Sequence, residues 1–267
     1  MDKRPVGIFD SGFGGLTAVK ALRELLPDED IIYFADSARV PYGAKTPTQL
    51  RCIAKQDLDL LSSYGVKAVL AACGTVSSNT ADIIESYPVP AMGVIKSVVK
   101  VMGEIPGSGA LGVIATDASI KSGVYQRELG KLCPDREIIA VPCPAFVPLI
   151  ESGHISPDDM ELRDAVSASL KPMKEGRIQA LLLGCTHFGI ISEAIRQYLG
   201  DGVTLVSAAD SAAADIASYL KDNSLTGGGG RLRFLTSGSP DEFSAVAAKF
   251  LGTTEFPGPE HVPVMEV

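Results

Sequence analysis

Apolar runs that break off into polar, glycine-rich turns recur along this chain, and stretches of helical periodicity separate them. Val6–Phe9 is the first such run, closed by Asp10-Ser11-Gly12-Phe13-Gly14-Gly15. Leu16, Val19, Leu22 and Leu26 then recur at helical spacing until Pro27 stops them. Ile31–Phe34 predicts a second strand, ending in the loop Asp36–Gly43. Thr46-Pro47-Thr48-Gln49 reads as N-cap, N1 proline and capping-box glutamine, opening a helix with Leu50, Ile53, Leu58 and Leu61 inward. The apolar run from Val66 ends in Cys73-Gly74-Thr75, the pattern of a buried strand feeding a turn, with a helix to about Ser86 and a strand at Ala91–Ile95 behind it.

After a composition shift at Gly103–Gly109 the pattern starts again. Ala110–Ala115 predicts a strand, Thr116-Asp117-Ala118-Ser119 a cap, and a helix runs to about Leu132. Ile138–Val141 is a strand and Pro144–Gly153 a short helical segment carrying Glu151; Ser156-Pro157 opens a longer helix. The run Ile178–Leu183 ends in Gly184-Cys185-Thr186-His187, a second strand-end thiol, with a helix to Leu199 after it. Strand Val203–Val206, helix Ala208–Leu220, a flexible Gly227–Gly230 loop, strand Leu232–Thr236 and helix Asp241–Leu251 complete the chain. Alternating strands and helices predict an α/β fold with mainly parallel sheets. Both thiols end a strand–helix–strand–helix–strand series, from Ile8 to Cys73 and from Val113 to Cys185, which suggests two similar halves facing one another.

At 267 residues the chain holds one large domain or two smaller ones. Its net charge of −8 and lack of a clustered Lys/Arg stripe argue against a nucleic-acid partner. No apolar run approaches the ~20 residues that span a bilayer, and Met1–Pro5 has no signal-peptide core, so a cytoplasmic protein is expected. Five widely spaced cysteines without a C-x-x-C pair favour reduced thiols over disulfides or structural zinc. Cys52, Cys133 and Cys143 are read as structural, small buried hydrophobes.

Cys73 and Cys185 differ because each precedes a helix, whose N-terminus favours the thiolate. Three chemistries fit: a Cys–His nucleophile, with His187 the one well-placed histidine if the strand continues past Cys185; a metal site, for which Cys185-x-His187 alone is weak; and two-base proton transfer, in which one thiolate removes a carbon-bound proton and a thiol on the other face returns one. The Gly12–Gly15 turn offers backbone N–H groups to an anion. It lacks a nucleotide fingerprint, since Thr17 stands where G-x-G-x-x-G needs glycine.

At these residues the chain resembles the glutamate racemases of the aspartate/glutamate racemase superfamily. The resemblance spans nearly the whole chain: Gly7–Thr17, Tyr33–Gly43, Cys143–Gly153, Gly184-Cys185-Thr186-His187 and Thr236–Phe243. It implies cofactor-independent interconversion of L- and D-glutamate for peptidoglycan synthesis, with no metal. It also implies a homodimer of two pseudo-twofold-related α/β domains holding substrate in the cleft between them. One domain is expected over residues 1–97 plus 208–267, the other over 98–207. Cys73 and Cys185 map onto the catalytic thiols, Asp10 onto the acidic group near the first, and His187 and Glu151 onto groups assisting the second. Asp10, Ser11, Tyr42, Gly43, Gly74, Thr75, Thr186 and His187 fall on substrate-contacting positions.

The chain departs from the family's pattern at Gly74, where asparagine is usual, at Phe188-Gly189, where Tyr-Pro is common, and at Lys96-Ser97, where Pro-Gly is. The lost side chain at Gly74 removes a polar partner worth ~1–3 kcal/mol in a buried site; Asn79, one helical turn on, faces elsewhere by its position. Gly74 therefore leaves two alternatives open: a racemase of another amino acid such as aspartate, with Gly74 making room for a different side chain, and a weakly active regulatory homologue.

Overall fold

The computed structural model describes residues 2–267. In chain order the first half runs β1 (Val6–Asp10), α1 (Leu16–Leu25), β2 (Ile31–Ala35), α2 (Pro47–Ser63), β3 (Ala68–Ala71), α3 (Gly74–Asn79), α4 (Ala81–Glu85), β4 (Ala91–Gly93) and α5 (Val94–Gly103). The second runs β5 (Leu111–Ala115), α6 (Asp117–Ser122), α7 (Val124–Leu132), β6 (Ile138–Pro142), α8 (Phe146–Ser152), α9 (Met160–Glu175), β7 (Ala180–Leu183), α10 (Ser192–Leu199) and β8 (Thr204–Ser207). The chain closes with α11 (Ala208–Asp222), β9 (Leu232–Thr236), α12 (Pro240–Leu251) and β10 (Glu260–His261).

The strands form two parallel sheets, ordered β10-β9-β2-β1-β3-β4 and β6-β5-β7-β8. The series β2-β1-β3-β4 and β6-β5-β7-β8 are the same order, and in both a thiol follows the third strand of the half in sequence, β3 or β7. Strands β1, β2, β3, β5 and β7 are buried along their whole length. They read as continuous apolar runs because helices cover both faces of a parallel sheet. One apolar core runs from β1 and β3 through Leu16, Val98, Ala212 and Ile216 to Val113 and Leu182 of the second sheet. The buried face of α11 is mostly alanine, so this helix lies close between its neighbours. A second core sits under α2, and a third under α8, α9 and α10.

The Thr46 capping box forms as expected, its hydroxyl accepting from Gln49 N–H and the Gln49 side chain accepting from Thr46 N–H. Leu50, Ile53, Leu58 and Leu61 all face the core. Elsewhere the long helices expected from periodicity divide. The helix after Cys73 breaks at Thr80, whose hydroxyl bonds back to the Val76 carbonyl at 2.8 Å. The helix after Thr116 breaks at Gly123, where φ of +67° needs glycine. The strand expected to reach Ile95 stops at Gly93, and Val94 begins α5. Asp159 rather than Ser156 caps α9, accepting from Leu162 N–H at 3.0 Å. Cys133 and Cys143 are buried as expected, but Cys52 lies on the solvent side of α2.

Candidate active site

The carboxyl ends of the two sheets face one another across a cavity of about 430 Å³. Asp10 ends β1, Cys73 lies two residues beyond β3, Thr116 follows β5, Cys143 follows β6 and Cys185 lies two residues beyond β7. Carboxyl edges are where open α/β sheets bind ligands, and here two such edges share one space. Every candidate residue named from the sequence lines it: Asp10, Ser11, Tyr42, Gly43, Cys73, Gly74, Thr75, Glu151, Cys185, Thr186 and His187.

The first thiol sits among oxygen groups. Cys73 Sγ lies 3.6 Å from Ser11 Oγ, which donates to Asp10 Oδ1 at 3.2 Å. Asp10 is buried and also accepts from Gly12 N–H at 2.9 Å. Burial, then the negative charge of Asp10, push the Cys73 thiol up to about 12. The second thiol has an imidazole instead. Cys185 Sγ lies 3.6 Å from His187 Nδ1, and His187 Nε2 lies 3.0 Å from Glu151 Oε1. Burial alone would lower the His187 pKa. The bonds to Cys185 and Glu151, with the charges of Cys185 and Asp10, outweigh it and push the imidazole up to about 10. Several bonds cross between the two halves, and one of them reaches the first thiol's carboxylate: Thr186 Oγ1 donates to Asp10 Oδ2 at 3.1 Å.

Two expectations are corrected by this geometry. The strand does not continue past Cys185; residues Thr186–Ile191 form a 3-10 turn, and it is this turn that brings His187 back to the sulfur. The Gly12–Gly15 turn does not line the cavity. Its Gly12 amide is taken by Asp10, and Gly14 packs so closely on His187 and Thr186 that any side chain there would overlap them.

The loop carrying Tyr42 and Gly43 is held from below by a buried polar cluster. Arg39 donates to Asp36, to Gln56 and, at 2.7 Å, to Asp57; the Tyr42 hydroxyl donates to Asp36 and to Asp57; Ser237 donates to Asp36 at 2.8 Å. Asp57 is the unexpected member. It is a carboxylate on the buried face of α2, and its pKa is raised first by burial and then by the charge of Asp36.

Sequence reasoning missed several lining residues. Thr116 reads only as a helix cap, and it is one, accepting from Ser119 N–H; its hydroxyl also lies 3.0 Å from that of Thr75. Cys143, expected to be structural, lines the cavity, with burial pushing its thiol up to about 12. Val40, Pro41, Ala44, Asp117, Pro144, Val147, Pro148 and Gly184 complete the wall. Among the described residues no lysine or arginine lines it, and His187 is the one basic side chain there. Asn79 turns away, donating to the Thr75 carbonyl at 2.8 Å. The position of Gly74 decides what its missing side chain means. A Cβ there would overlap the carbonyl oxygen of Gly184, so the space is filled by backbone from the other half. Among the described residues no group of three His, Cys, Asp or Glu side chains is placed to hold a metal ion, and no helix is long and apolar enough to cross a membrane.

Comparison with known proteins gives a consistent picture. Residues 17–216 match the family model for Asp/Glu/hydantoin racemases. The glutamate racemase of Thermoanaerobacter pseudethanolicus is 38% identical over 257 residues, covering 94% of this chain and 95% of that protein. The crystal structure of the Francisella tularensis glutamate racemase in complex with D-glutamate superposes with a TM-score of 0.89 at 38% identity, over 98% of both chains. A glutamate racemase isoform from Bacillus anthracis gives 0.92 at 28% identity, over 99% of both.

Proposed function

The chain belongs to the Asp/Glu/hydantoin racemase family, and from that premise we propose that it interconverts L- and D-glutamate without a cofactor and supplies D-glutamate for peptidoglycan. The observation that carries the reading is a pair of thiols at the carboxyl edges of two opposed sheets, each with its own proton-handling partner inside one cavity. One thiolate takes the α-proton and becomes a thiol. The carbanion left behind takes the proton of the other thiol from the opposite face, and that sulfur becomes the thiolate. The configuration is inverted and the protonation of the two sulfurs exchanged. Asp10 through Ser11, and Glu151 through His187, return the proton distribution to its starting point.

The carbanion requires strong stabilisation, because an amino-acid α-proton is far less acidic than a thiol. Preorganised donors in a site shielded from water provide it. Thr75, Thr116, Thr186, Ser11 and backbone N–H groups beside Gly43 and Gly74 are placed for the substrate's carboxylates. The imidazolium of His187, the one cationic side chain among the described residues of the wall, offsets their charge.

Neither alternative reading finds support at Gly74, since the space there is closed by the Gly184 carbonyl rather than opened to a larger side chain. The reading divides the chain into domains over residues 1–97 with 208–267 and over 98–207, which the pairing of β9 with β2 supports. It places the enzyme in the cytoplasm as a homodimer, a state that light scattering on the purified protein checks. The test of function is D-glutamate in D2O with reduced protein and no added cofactor, followed by NMR and optical rotation. Loss of the α-proton with decay of rotation is expected. Exchange of aspartate but not glutamate would move the assignment to another racemase, and binding without exchange would favour a regulator.

A further inference from the structure

The two thiol-bearing turns meet back to back, one residue away from each sulfur. Gly74 follows Cys73, Gly184 precedes Cys185, and these two glycines touch across the seam between the halves. The Gly184 carbonyl oxygen occupies the place a Gly74 side chain would take. That same oxygen accepts a hydrogen bond from the hydroxyl of Tyr125, at 2.9 Å. Tyr125 is wholly buried on α7, outside the cavity wall, and touches no position where substrate would sit. Its ring also packs against Gly184, where an added Cβ would lie 3.0 Å from the ring carbons and 2.9 Å from the Ile114 carbonyl. The Gly184 amide is fixed as well, donating to Ile114 at 2.7 Å. Both polar groups of the residue before Cys185 are therefore held, one by β5 and one by Tyr125.

We propose that Tyr125 is a positioning residue for the racemisation: by holding the Gly184 carbonyl against Gly74, it fixes the separation of Cys73 and Cys185 across the substrate carbon. The proposal rests on the glutamate reading above. Three features support it beyond the single hydrogen bond. The hydroxyl is kept as a donor, since burial, then the charges of Cys185 and Cys73, push its pKa up. The seam is polar on its next contact too, where Thr75 and Thr116 join hydroxyls at 3.0 Å. Finally, Gly74 gives no side chain through which the halves could meet at a greater distance, so the backbone contact sets the spacing. A two-base reaction depends on that spacing in a particular way. Proton removal needs one sulfur in place, whereas inversion needs both at once.

The test compares wild type, Tyr125→Phe and Gly74→Ala in D2O with D-glutamate and, separately, L-glutamate. Deuterium entering the recovered starting enantiomer is measured against inverted product, with thermal melting as a control for folding. Phe keeps the ring and removes only the donor. Tyr125→Phe should lower kcat roughly tenfold or more in both directions while KM stays within about twofold. The share of exchange without inversion should rise. Gly74→Ala presses on the same carbonyl from the opposite side and should give the same signature, which keeps the test decisive if Tyr125→Phe does not fold. The double variant should lose less than the product of the two single losses, since both act on one contact. Wild-type kcat and a wild-type exchange-to-inversion ratio in folded Tyr125→Phe would overturn the proposal. A uniform fall in both with an unchanged ratio would overturn it too, since that outcome marks a purely structural role. A wild-type enzyme that exchanges no glutamate α-proton would overturn the glutamate reading and the proposal with it.

Discussion

Glu151→Gln tests how the second thiol's partner is kept charged. The Glu151 carboxylate lies 3.0 Å from His187 Nε2 and helps push the imidazole up to about 10 against the opposing effect of burial. The amide keeps the shape and an acceptor oxygen but removes the charge. A hydrogen bond to a charged group contributes roughly 1.5–3 kcal/mol. Because 34% of the Glu151 side chain is accessible, water screens the pair and the lower end applies. About 1.4 kcal/mol corresponds to one pH unit, so the His187 titration should fall by roughly one unit, toward 9. The folded-state pKa is raised above the ordinary histidine value of 6.5. The charged imidazole therefore stabilises the fold fully below about 6.5, and that contribution is lost as pH rises through about 10. The variant should lose it one unit earlier. Cys73 titrates higher, near 12, and does not define this limb. The assay is kcat against pH from 7 to about 10.5 in both directions, with the His187 ring protons followed by NMR and melting temperature measured on the same samples. An alkaline limb at the wild-type position, with the ring titration also unmoved, would refute the assignment of that limb to the His187–Glu151 pair.

Four further outcomes are expected. Cys73→Ala and Cys185→Ala should each abolish inversion, read by optical rotation, while leaving the melting temperature nearly unchanged. Arg39→Met should destabilise the protein by roughly 3–5 kcal/mol in urea titration, because it strands two buried carboxylates, Asp36 and Asp57. It should also raise KM, since the loop bearing Tyr42 and Gly43 loses its support. Phe188→Ala removes a fully buried ring packed edge-on to Phe146 at 5.1 Å. It should cost about 3–5 kcal/mol of stability, together with activity, as Phe188 adjoins His187 and Phe146 opens the helix that carries Glu151. Thr46→Ala should cost about 1 kcal/mol through loss of the capping box, with kinetics unaltered.

Much of this fold was legible because buried parallel strands are apolar runs and their ends are abrupt. The runs into Cys73 and Cys185 ended where the sheets end, and the capping box at Thr46 marked a helix start to the residue. Helix interruptions were less legible. Gly123 breaks its helix with a left-handed φ, yet the periodicity on either side carries straight through it. Thr80 breaks the other by turning its hydroxyl onto the backbone, which no spacing rule reports. The short edge strand β10 escaped notice because its two residues are exposed and polar. At the site, the chemistry-bearing residues were legible as strand-end polar groups, but their supporting contacts were not. Asp57 looks like a surface charge in an amphipathic helix and is buried only because Arg39 and Tyr42 reach it from another loop. The meaning of Gly74 depends on Gly184, more than a hundred residues away, and became visible only when the two halves were brought together.

The duplicated scaffold makes the differences between its halves informative. Strand order is the same in both and a thiol follows the same strand in each, so the backbone alone would make Cys73 and Cys185 equivalent. Their neighbours make them unequal. Cys73 is buried beside the negative charge of Asp10, and both raise its pKa; Cys185 faces the His187 imidazole, whose own pKa is raised to about 10. Two equivalent thiols would both rest protonated, with no base to begin, or both charged, with no acid to finish. In the proposed two-base reaction, an unequal pair supplies one of each. The same asymmetry leaves the enzyme, after one inversion, with the charge on the sulfur that its surroundings favour less. Proton return by way of Asp10 and Ser11 on one side and His187 and Glu151 on the other then becomes a step the reaction must complete, and Thr186 holds the Asp10 carboxylate in place for it. The Thr186–Asp10 bond joins the first thiol's carboxylate to the residue that lies between Cys185 and His187. Thr186→Val should therefore slow turnover more under steady-state conditions than in a single turnover begun from the resting form. Equal slowing in both regimes would place Thr186 in substrate binding alone.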